Sequence, residues 1–189
     1  HRRHGVRRAW REAPCRRLLL ASNVASMTQV HSLWKTTTSL PVVGSTLGKR
    51  VFSIAFSQKA PYFASIHPRV TELRPNYAEV VIPKRRSVQN HIGTVHAIAM
   101  CNLAEVAGGI MTEASVPPDT HRWIPKGMTV SYLKKAGTDV RAVAHFPAPP
   151  VFGDEGFELP TAVTIYDTAG EAVFEAEIRM WVSPKPAKR

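Results

Sequence analysis

The feature that most constrains the fold is a run of mainly apolar or small residues from Ala97 to Met111. Its strongly polar side chains are Asn102 and Glu105 alone. A surface helix has one apolar stripe, whereas a helix that is apolar on all sides is buried. A bilayer-spanning helix takes about 20 apolar residues, so this run is too short to cross a membrane. It therefore predicts a helix that the rest of the protein covers, with one carboxylate near its middle.

Alternating apolar and polar residues predict β-strands on both sides of this helix. The predicted strands are 77–82 before it and 126–133, 138–146, 158–167 and 174–182 after it. Short helices are predicted near 31–37 and from Pro61, whereas 47–56 fits either a short helix or a strand. Short antiparallel connections join the later strands. We therefore predict an α+β fold in which an antiparallel sheet of about five strands wraps around one long helix.

The positive charge of the chain is concentrated near its start. Of the net charge of +11, residues 1–26 contribute +6, with seven arginines and one acid. This composition is typical of a mitochondrial or plastid targeting segment. The alternatives are upstream sequence before Met27, a disordered tail, or a retained arm that anchors the protein to a larger body. The predicted organisation is a basic arm (1–26), an extension with short helices (27–56), the main domain (57–183) and a tail (184–189).

Several classes of site are disfavoured by the sequence. Cys15 and Cys101 are far apart and form no paired motif, so neither a structural disulfide nor a zinc site is expected, and a reducing compartment is favoured. The chain has no metal-ligand spacing, phosphate-binding glycine loop or dinucleotide fingerprint. No apolar run is long enough for a membrane span. Nucleic-acid binding is expected only as nonspecific, salt-sensitive contact through the basic arm.

Three segments carry a resemblance to a known family. They are A-P-Y-F at 60–63, N-H-I-G-T-V-H-A-I-A-M at 90–100 and W-I-P-K-G-M-T-V-S-Y-L-K-K-A at 123–136. Together with Leu103-Ala104-Glu105 and Gly108-Gly109, they resemble the hotdog-fold acyl-CoA thioesterase superfamily, which includes the phenylacetate-pathway and 4-hydroxybenzoyl-CoA thioesterases. In particular, they look like a poorly characterised branch known as a domain of unknown function. The resemblance extends from about Leu47 to Val182.

The resemblance implies a catalytic site on the central helix. Glu105 would be the nucleophile or general base, and the backbone N–H of Ala97 would stabilise the oxyanion. Asn90 and His96 would shape the mouth of the pocket. Gly93, Gly109 and Thr112 are the candidate substrate-binding residues near this site. The basic residues Lys84 and Arg85 are further candidates, because their charge suits the phosphates of coenzyme A. No metal or prosthetic cofactor is implied, and a coenzyme A thioester is the implied substrate.

The chemistry has an independent basis. Amides at a helix N-terminus suit a developing negative charge. Glu105 lies about 12 Å of helix rise beyond Ala97, so a dimer, in which the carboxylate of one subunit meets the helix start of the other, is expected. Two features depart from the family pattern. His96-Ala97-Ile98 replaces His-Gly-Gly, and Gly109 stands where some relatives have a hydroxyl, which Thr112 can only partly replace.

Each site residue also has a purely structural interpretation. Glu105 can pair with a neighbouring cation at the edge of a helix, and His96 can be a helix-start residue bonded to the backbone. Asn90 can form a turn. Exposed basic residues such as Lys84 and Arg85 are usually only solvated.

Two functions remain open from the sequence. The first is a thioesterase that hydrolyses acyl-CoA or acyl-carrier thioesters as a dimer or tetramer. The second is a catalytically silent accessory subunit of a large mitochondrial assembly, such as a respiratory complex or the mitochondrial ribosome, held by its basic arm. The basic arm is the basis for the expected location, the matrix side of the mitochondrion.

Overall fold

The computed structural model describes residues 29–39 and 44–186, so the predicted basic arm lies outside the described residues. The helices are α1 (Gln29–Thr38), α2 (Gly44–Lys59), α3 (Pro61–Ala64) and α4 (Ala97–Ser115). The strands are β1 (Arg69–Arg74), β2 (Tyr77–Ile82), β3 (His121–Tyr132), β4 (Val140–His145), β5 (Phe157–Tyr166) and β6 (Ala172–Pro184). The ambiguous segment 47–56 is helical, within α2. The domain boundaries stay a prediction.

The strands form one antiparallel sheet in the order β1-β2-β4-β5-β6-β3, and α4 packs against its inner face. This is the predicted arrangement of a sheet around one long helix, with six strands instead of about five. The alternation predicted for the last strand is confirmed, because Phe174, Ile178 and Met180 are buried while Glu175 and Glu177 are exposed.

The centre of α4 is the core of the molecule. Leu103, Val106, Ile110 and Met111 are fully buried. Burying each such side chain stabilises the fold by about 1.5–3 kcal/mol. The sheet approaches α4 closely at Gly108, where a Cβ would lie 3.0 Å from Ile178 Cδ1. No helix among the described residues is long and apolar enough to cross a membrane.

The sequence analysis missed β1 because its alternation is interrupted. The two buried apolar residues of this strand are Val70 and Leu73, three positions apart, with a register shift between Val70 and Glu72. Such a bulge places one extra residue in a strand and breaks the period of two. Helix α2 covers this edge of the sheet, where the Ser53 hydroxyl accepts a hydrogen bond of 2.9 Å from the Val70 N–H.

Strand β3 forms the other edge of the sheet and pairs with β6 alone among the described strands. It begins five residues earlier than predicted, because Pro125 lies inside it beside a register shift between Pro125 and Gly127. Proline is tolerated at an edge or a bulge, where its missing N–H removes no ladder bond. Near this edge Ile98, Ile124 and Tyr132 are each at least half exposed.

Candidate active site

Glu105 lies on the one face of α4 that the sheet does not fully cover. Ala97, Cys101 and Glu105, each four residues apart, are all partly buried, whereas most of the rest of the helix is buried. Residues four apart share a helix face. The Glu105 carboxylate makes no hydrogen bond or ion pair with another described residue. The structural interpretation of Glu105 as half of an ion pair therefore finds no partner in the described part of the chain.

The start of α4 presents a free amide on this same face. His96 is the N-cap, and its Nδ1 accepts a hydrogen bond of 3.0 Å from the Ile98 N–H. The Met100 N–H donates to the His96 carbonyl. The Ala97 N–H, by contrast, has no acceptor among the described residues. Since the first amides of a helix carry partial positive charge, this N–H is available to a ligand oxygen.

The segment before α4 is a tightly bonded turn built around Asn90. The Asn90 side-chain oxygen accepts from the N–H groups of Ile92 and Thr94, and its amide donates to the Thr94 hydroxyl. Gly93 has a φ of 75°, a conformation that favours glycine. Both residues thus shape the loop that leads into the helix, and the polar atoms of Asn90 are already used within it.

Two anchors fix the position of this loop. The Val95 N–H donates to the Ala136 carbonyl at 2.9 Å, and the His96 N–H donates to the Val88 carbonyl at 2.8 Å. Ala136 lies in the connection between β3 and β4 and is buried. The helix start is therefore held by the β3–β4 connection and by the turn at Val88, and not by the loop alone.

Aromatic residues of β3 stand beside α4 one turn on either side of Glu105. Towards the helix start, Cys101 Sγ lies 3.2 Å from the Tyr132 hydroxyl. This bond and partial burial raise the pKa of Tyr132 to about 12. Towards the helix end, the indole of Trp123 packs over Gly109, and its Nε1 donates to a Glu113 carboxylate oxygen at 2.7 Å. These contacts place Glu105 between two fixed aromatic side chains along the helix.

The remaining predicted substrate residues do not join this group. Thr112 is fully buried, and its hydroxyl donates to the Gly108 carbonyl at 2.7 Å, so it is bonded within its own helix. The Lys84 backbone N–H donates to the Asp139 carboxylate. Arg85 lines a different cleft, beside α2. Glu105, Ala97 and Gly109 thus lie along α4, with His96 at the helix start and Asn90 and Gly93 in the adjoining loop, but about 12 Å of helix rise separates Glu105 from Ala97.

Trp123, Glu113 and Tyr132 are site neighbours that the sequence analysis did not identify. Nothing in the segment around Trp123 indicates that its side chain reaches Gly109. Glu113, eight residues after Glu105, is the sequence feature that could have indicated this contact. A second acid near the end of an apolar helix needs a hydrogen-bond or charge partner. Among residues 29–39 and 44–186, no three His, Cys, Asp or Glu side chains lie close enough together to hold a metal ion.

The geometry has a clear chemical capacity. A carboxylate without a protein partner can accept a proton from water or attack an electrophilic carbon. A free helix-start N–H can stabilise an oxyanion. Since about 12 Å of helix rise separates them, one α4 does not present both to the same reacting atom.

Comparisons with known proteins agree with this architecture. The family model described as Domain of unknown function (DUF4442) matches residues 48–182. A structural-genomics crystal structure without a stated activity is 48% identical, with 82% of this chain and 99% of that chain covered and a TM-score of 0.68. No curated protein matches the chain.

More distant structures share the fold. A probable thioesterase of unknown function from Pseudomonas aeruginosa is 24% identical over 72% of this chain and 94% of its own, with a TM-score of 0.64. A thioesterase family protein from Silicibacter pomeroyi is 18% identical over 70% and 96%, with a TM-score of 0.59. At these identities the similarity shows the fold alone. The prediction of an α+β hotdog fold is confirmed, and the chain belongs to the DUF4442 family.

Proposed function

We propose that the protein is a thioesterase that hydrolyses acyl-CoA or acyl-carrier thioesters. The observation that carries the proposal is the Glu105 carboxylate, which is partly buried on a mainly apolar helix and has no partner among the described residues. Water or another protein group would normally satisfy such a carboxylate. The thioesterase names of several structural neighbours support the same class of reaction.

In the proposed reaction, Glu105 acts on the thioester carbonyl carbon. As a general base it takes a proton from water while the water oxygen attacks this carbon. The Ala97 N–H donates to the oxyanion that forms. Collapse of the tetrahedral intermediate breaks the C–S bond, and the leaving thiolate takes up the proton that Glu105 received from water. As a nucleophile, Glu105 would instead form an anhydride that water then hydrolyses, which gives the same products.

A second copy of the chain is part of this proposal. The partly buried face of α4 and the unpaired edge of β3 lie together, and Ile98, Ile124 and Tyr132 expose apolar surface there. Covering such surface favours association. In a two-fold dimer each contact occurs twice, so Glu105 of one subunit would face the helix start of its partner in two equivalent sites.

The experiment is a thiol-release assay with the full chain and a panel of acyl-CoAs of increasing length. We expect Glu105→Gln to lower the activity by about 10²- to 10⁴-fold, the typical contribution of acid–base catalysis, without changing the unfolding midpoint. Glu158→Gln is the matched control, because Glu158 is exposed on β5 and makes no hydrogen bond with a described residue. Equal activity of the two variants would rule out Glu105 as the catalytic group.

The alternative is a catalytically silent accessory subunit of a mitochondrial assembly. Its support is the absence of a hydroxyl at Gly109 and the His96-Ala97-Ile98 helix start, where many resembling proteins carry two glycines. Under this alternative the full chain releases no thiol from any acyl-CoA and co-purifies with a larger assembly. Deletion of residues 1–26 then abolishes that association, whereas it leaves a thioesterase active.

A further inference from the structure

A second cleft, of about 640 Å³, lies between α2 and the opposite edge of the sheet from β3. It is formed by one face of α2, the segment between α3 and β1, and the segment after β2. It contains neither Glu105 nor the start of α4. Its size lies within the range of about 300–1,000 Å³ that is usual for small-molecule sites.

The charged residues around this cleft all have one sign. Three arginines (Arg50, Arg69 and Arg85) and His67 line it, and no acid does. None of the three guanidinium groups forms an ion pair with a described carboxylate. Like charges that converge without a counter-charge repel each other, and an anion in the cleft would relieve this repulsion.

The Arg85 side chain is held in place, but not all of its N–H donors have a hydrogen-bond acceptor. Its Nη2 donates to the Ser65 carbonyl at 3.2 Å and also contacts His67 Nδ1, while its buried Nε has no partner in the described structure. A guanidinium can only donate. In this contact the His67 Nδ1 is therefore the acceptor. His67 has a φ of 49°, a left-handed conformation that is uncommon for a residue other than glycine.

The rest of the lining is largely apolar. Ile54 is 63% exposed, although it lies on α2 next to the arginines, and Pro68 and Pro83 contribute further apolar surface. An exposed isoleucine beside three arginines suits a ligand that has both an apolar body and an anionic end. The segments of the chain that the structure does not describe do not suit the cleft as its ligand, because none of them is anionic. Residues 1–28 and 187–189 are basic, and residues 40–43 are uncharged.

We propose that this cleft is a binding site for a small amphipathic oxyanion, with a carboxylate or phosphate head at the three arginines and an alkyl body along Ile54. The head receives charge-assisted hydrogen bonds, which are roughly twice as strong as neutral ones. A carboxylate released by thioester hydrolysis has this chemistry, and so has an alkyl phosphate. The site does not depend on the reaction proposed for Glu105.

The test is isothermal titration calorimetry of the full chain with decanoate and decyl phosphate, which separate the two head groups. Decanol tests binding of the alkyl body without an anionic head, and inorganic phosphate tests binding of the head without the body. We expect one of the two amphipathic anions to bind at least tenfold more tightly than either of those probes. The proposal would be overturned if decanol or inorganic phosphate bound as tightly as the amphipathic anions. It would also be overturned if neither amphipathic anion bound.

Variants assign the binding to this cleft. The double variant Arg50→Gln/Arg69→Gln changes two exposed side chains and is expected to weaken binding by about tenfold or more, as for the loss of a charge-assisted hydrogen bond. Arg86→Gln is the matched control, because Arg86 is exposed and adjacent to Arg85 but lies outside the cleft lining. Equal weakening by both changes would show a nonspecific charge effect and overturn the assignment. Binding by the Glu105→Gln protein is expected to be unchanged, which keeps this result separate from the thioesterase assay.

Discussion

The indole of Trp123 packs over Gly109, one helical turn after Glu105, with the position of a Cβ on Gly109 lying 3.5 Å from Trp123 Cη2. A hydrogen bond to Glu113 holds the indole there. A large side chain from the edge strand thus lies beside the helix position at which some resembling thioesterases carry a small hydroxyl. The end of the site beyond Glu105 is therefore set by β3 as well as by the helix.

The first prediction compares the two adjacent glycines of α4. At Gly109 an added methyl makes only ordinary contact with Trp123, so Gly109→Ala is expected to stabilise the protein by about 0.5–1 kcal/mol through helix propensity. At Gly108 the methyl would lie 3.0 Å from Ile178 Cδ1 and 3.2 Å from Thr161 Cγ2. Gly108→Ala is expected to destabilise, because overpacking costs about 1–3 kcal/mol. Urea unfolding checks both, and a destabilising Gly109→Ala would contradict the observed position of Trp123.

The second prediction concerns the N-cap of α4. His96→Ala removes the acceptor of the Ile98 N–H and is expected to cost about 0.5–2 kcal/mol of stability. His96→Asn restores a capping acceptor and is expected to recover most of this loss. Thermal and urea unfolding measure the effect, and equal stability of the two variants would show that the Nδ1 contact does not cap the helix.

The same pair separates the two interpretations of His96. A residue that only caps the helix loses activity in proportion to stability, so His96→Asn would keep the thiol-release rate. A residue that also shapes the pocket mouth would show a raised KM in His96→Asn at unchanged stability. Both quantities come from one preparation of each variant.

The architecture was predictable because its strongest patterns are local. The apolar run that became α4 and the strict alternation of β6 each indicate burial without reference to the rest of the chain. Strand β1 was not predictable in this way, since the bulge after Val70 moves its second buried residue, Leu73, out of phase. Pro125 hid the first half of β3 for a related reason, because proline usually ends a strand.

The candidate site was predictable only along one helix. The sequence places Glu105, His96 and Ala97 close together on or next to one helix. Their relative positions therefore follow from helix geometry alone. Trp123 comes from a strand at the far end of the sheet order, and only tertiary packing brings it to Gly109. The arginine cleft was missed for the same reason, since Arg50, Arg69 and Arg85 belong to three separate elements that no sequence spacing connects.

The third prediction is a loss of stability at high pH through Tyr77. Burial and the hydrogen bond to Glu79 raise the pKa of Tyr77 from 10.0 to about 12. Between these values the unfolded tyrosine loses its proton while the folded one keeps it. The folded state therefore binds more protons, and its stability falls as the pH rises.

We expect Tyr77→Phe to make unfolding less dependent on pH between 10.0 and about 12. Tyr62→Phe is the control, because Tyr62 is 69% exposed and its hydroxyl bonds to no described residue. Urea unfolding across this pH range is the measurement. A pH dependence that is the same in both variants would show that Tyr77 ionises alike in the folded and unfolded protein.

The fourth prediction tests the proposed oxyanion donor. Ala97 is the first residue of α4, its N–H is free in the described structure, and the preceding His96 has φ −64° and ψ 140°. Proline is favoured at the first position of a helix, and the residue before it prefers this extended conformation. Ala97→Pro is therefore expected to keep the stability and lower the thiol-release rate by about 10²- to 10³-fold, as for the loss of one oxyanion donor. Ala97→Ser, which retains the N–H, is the control, and an active Ala97→Pro would exclude this amide from the mechanism.

The last prediction decides whether Glu105 acts with the helix start of its own chain or with that of a partner. Co-expression of Glu105→Gln and Ala97→Pro subunits gives mixed dimers in which one site has both defects and the other has neither, provided that each site takes Glu105 from one chain and Ala97 from the other. About half of randomly paired dimers are mixed, so about a quarter of the wild-type activity should return. Each variant alone is expected to keep about 1% of that activity or less. If each chain built its own site, every site would keep one defect and no activity would return.

Sedimentation of the Ile98→Asp variant is the matching physical test of the dimer. A carboxylate at this half-exposed position should separate the subunits and abolish the recovery of activity without unfolding α4.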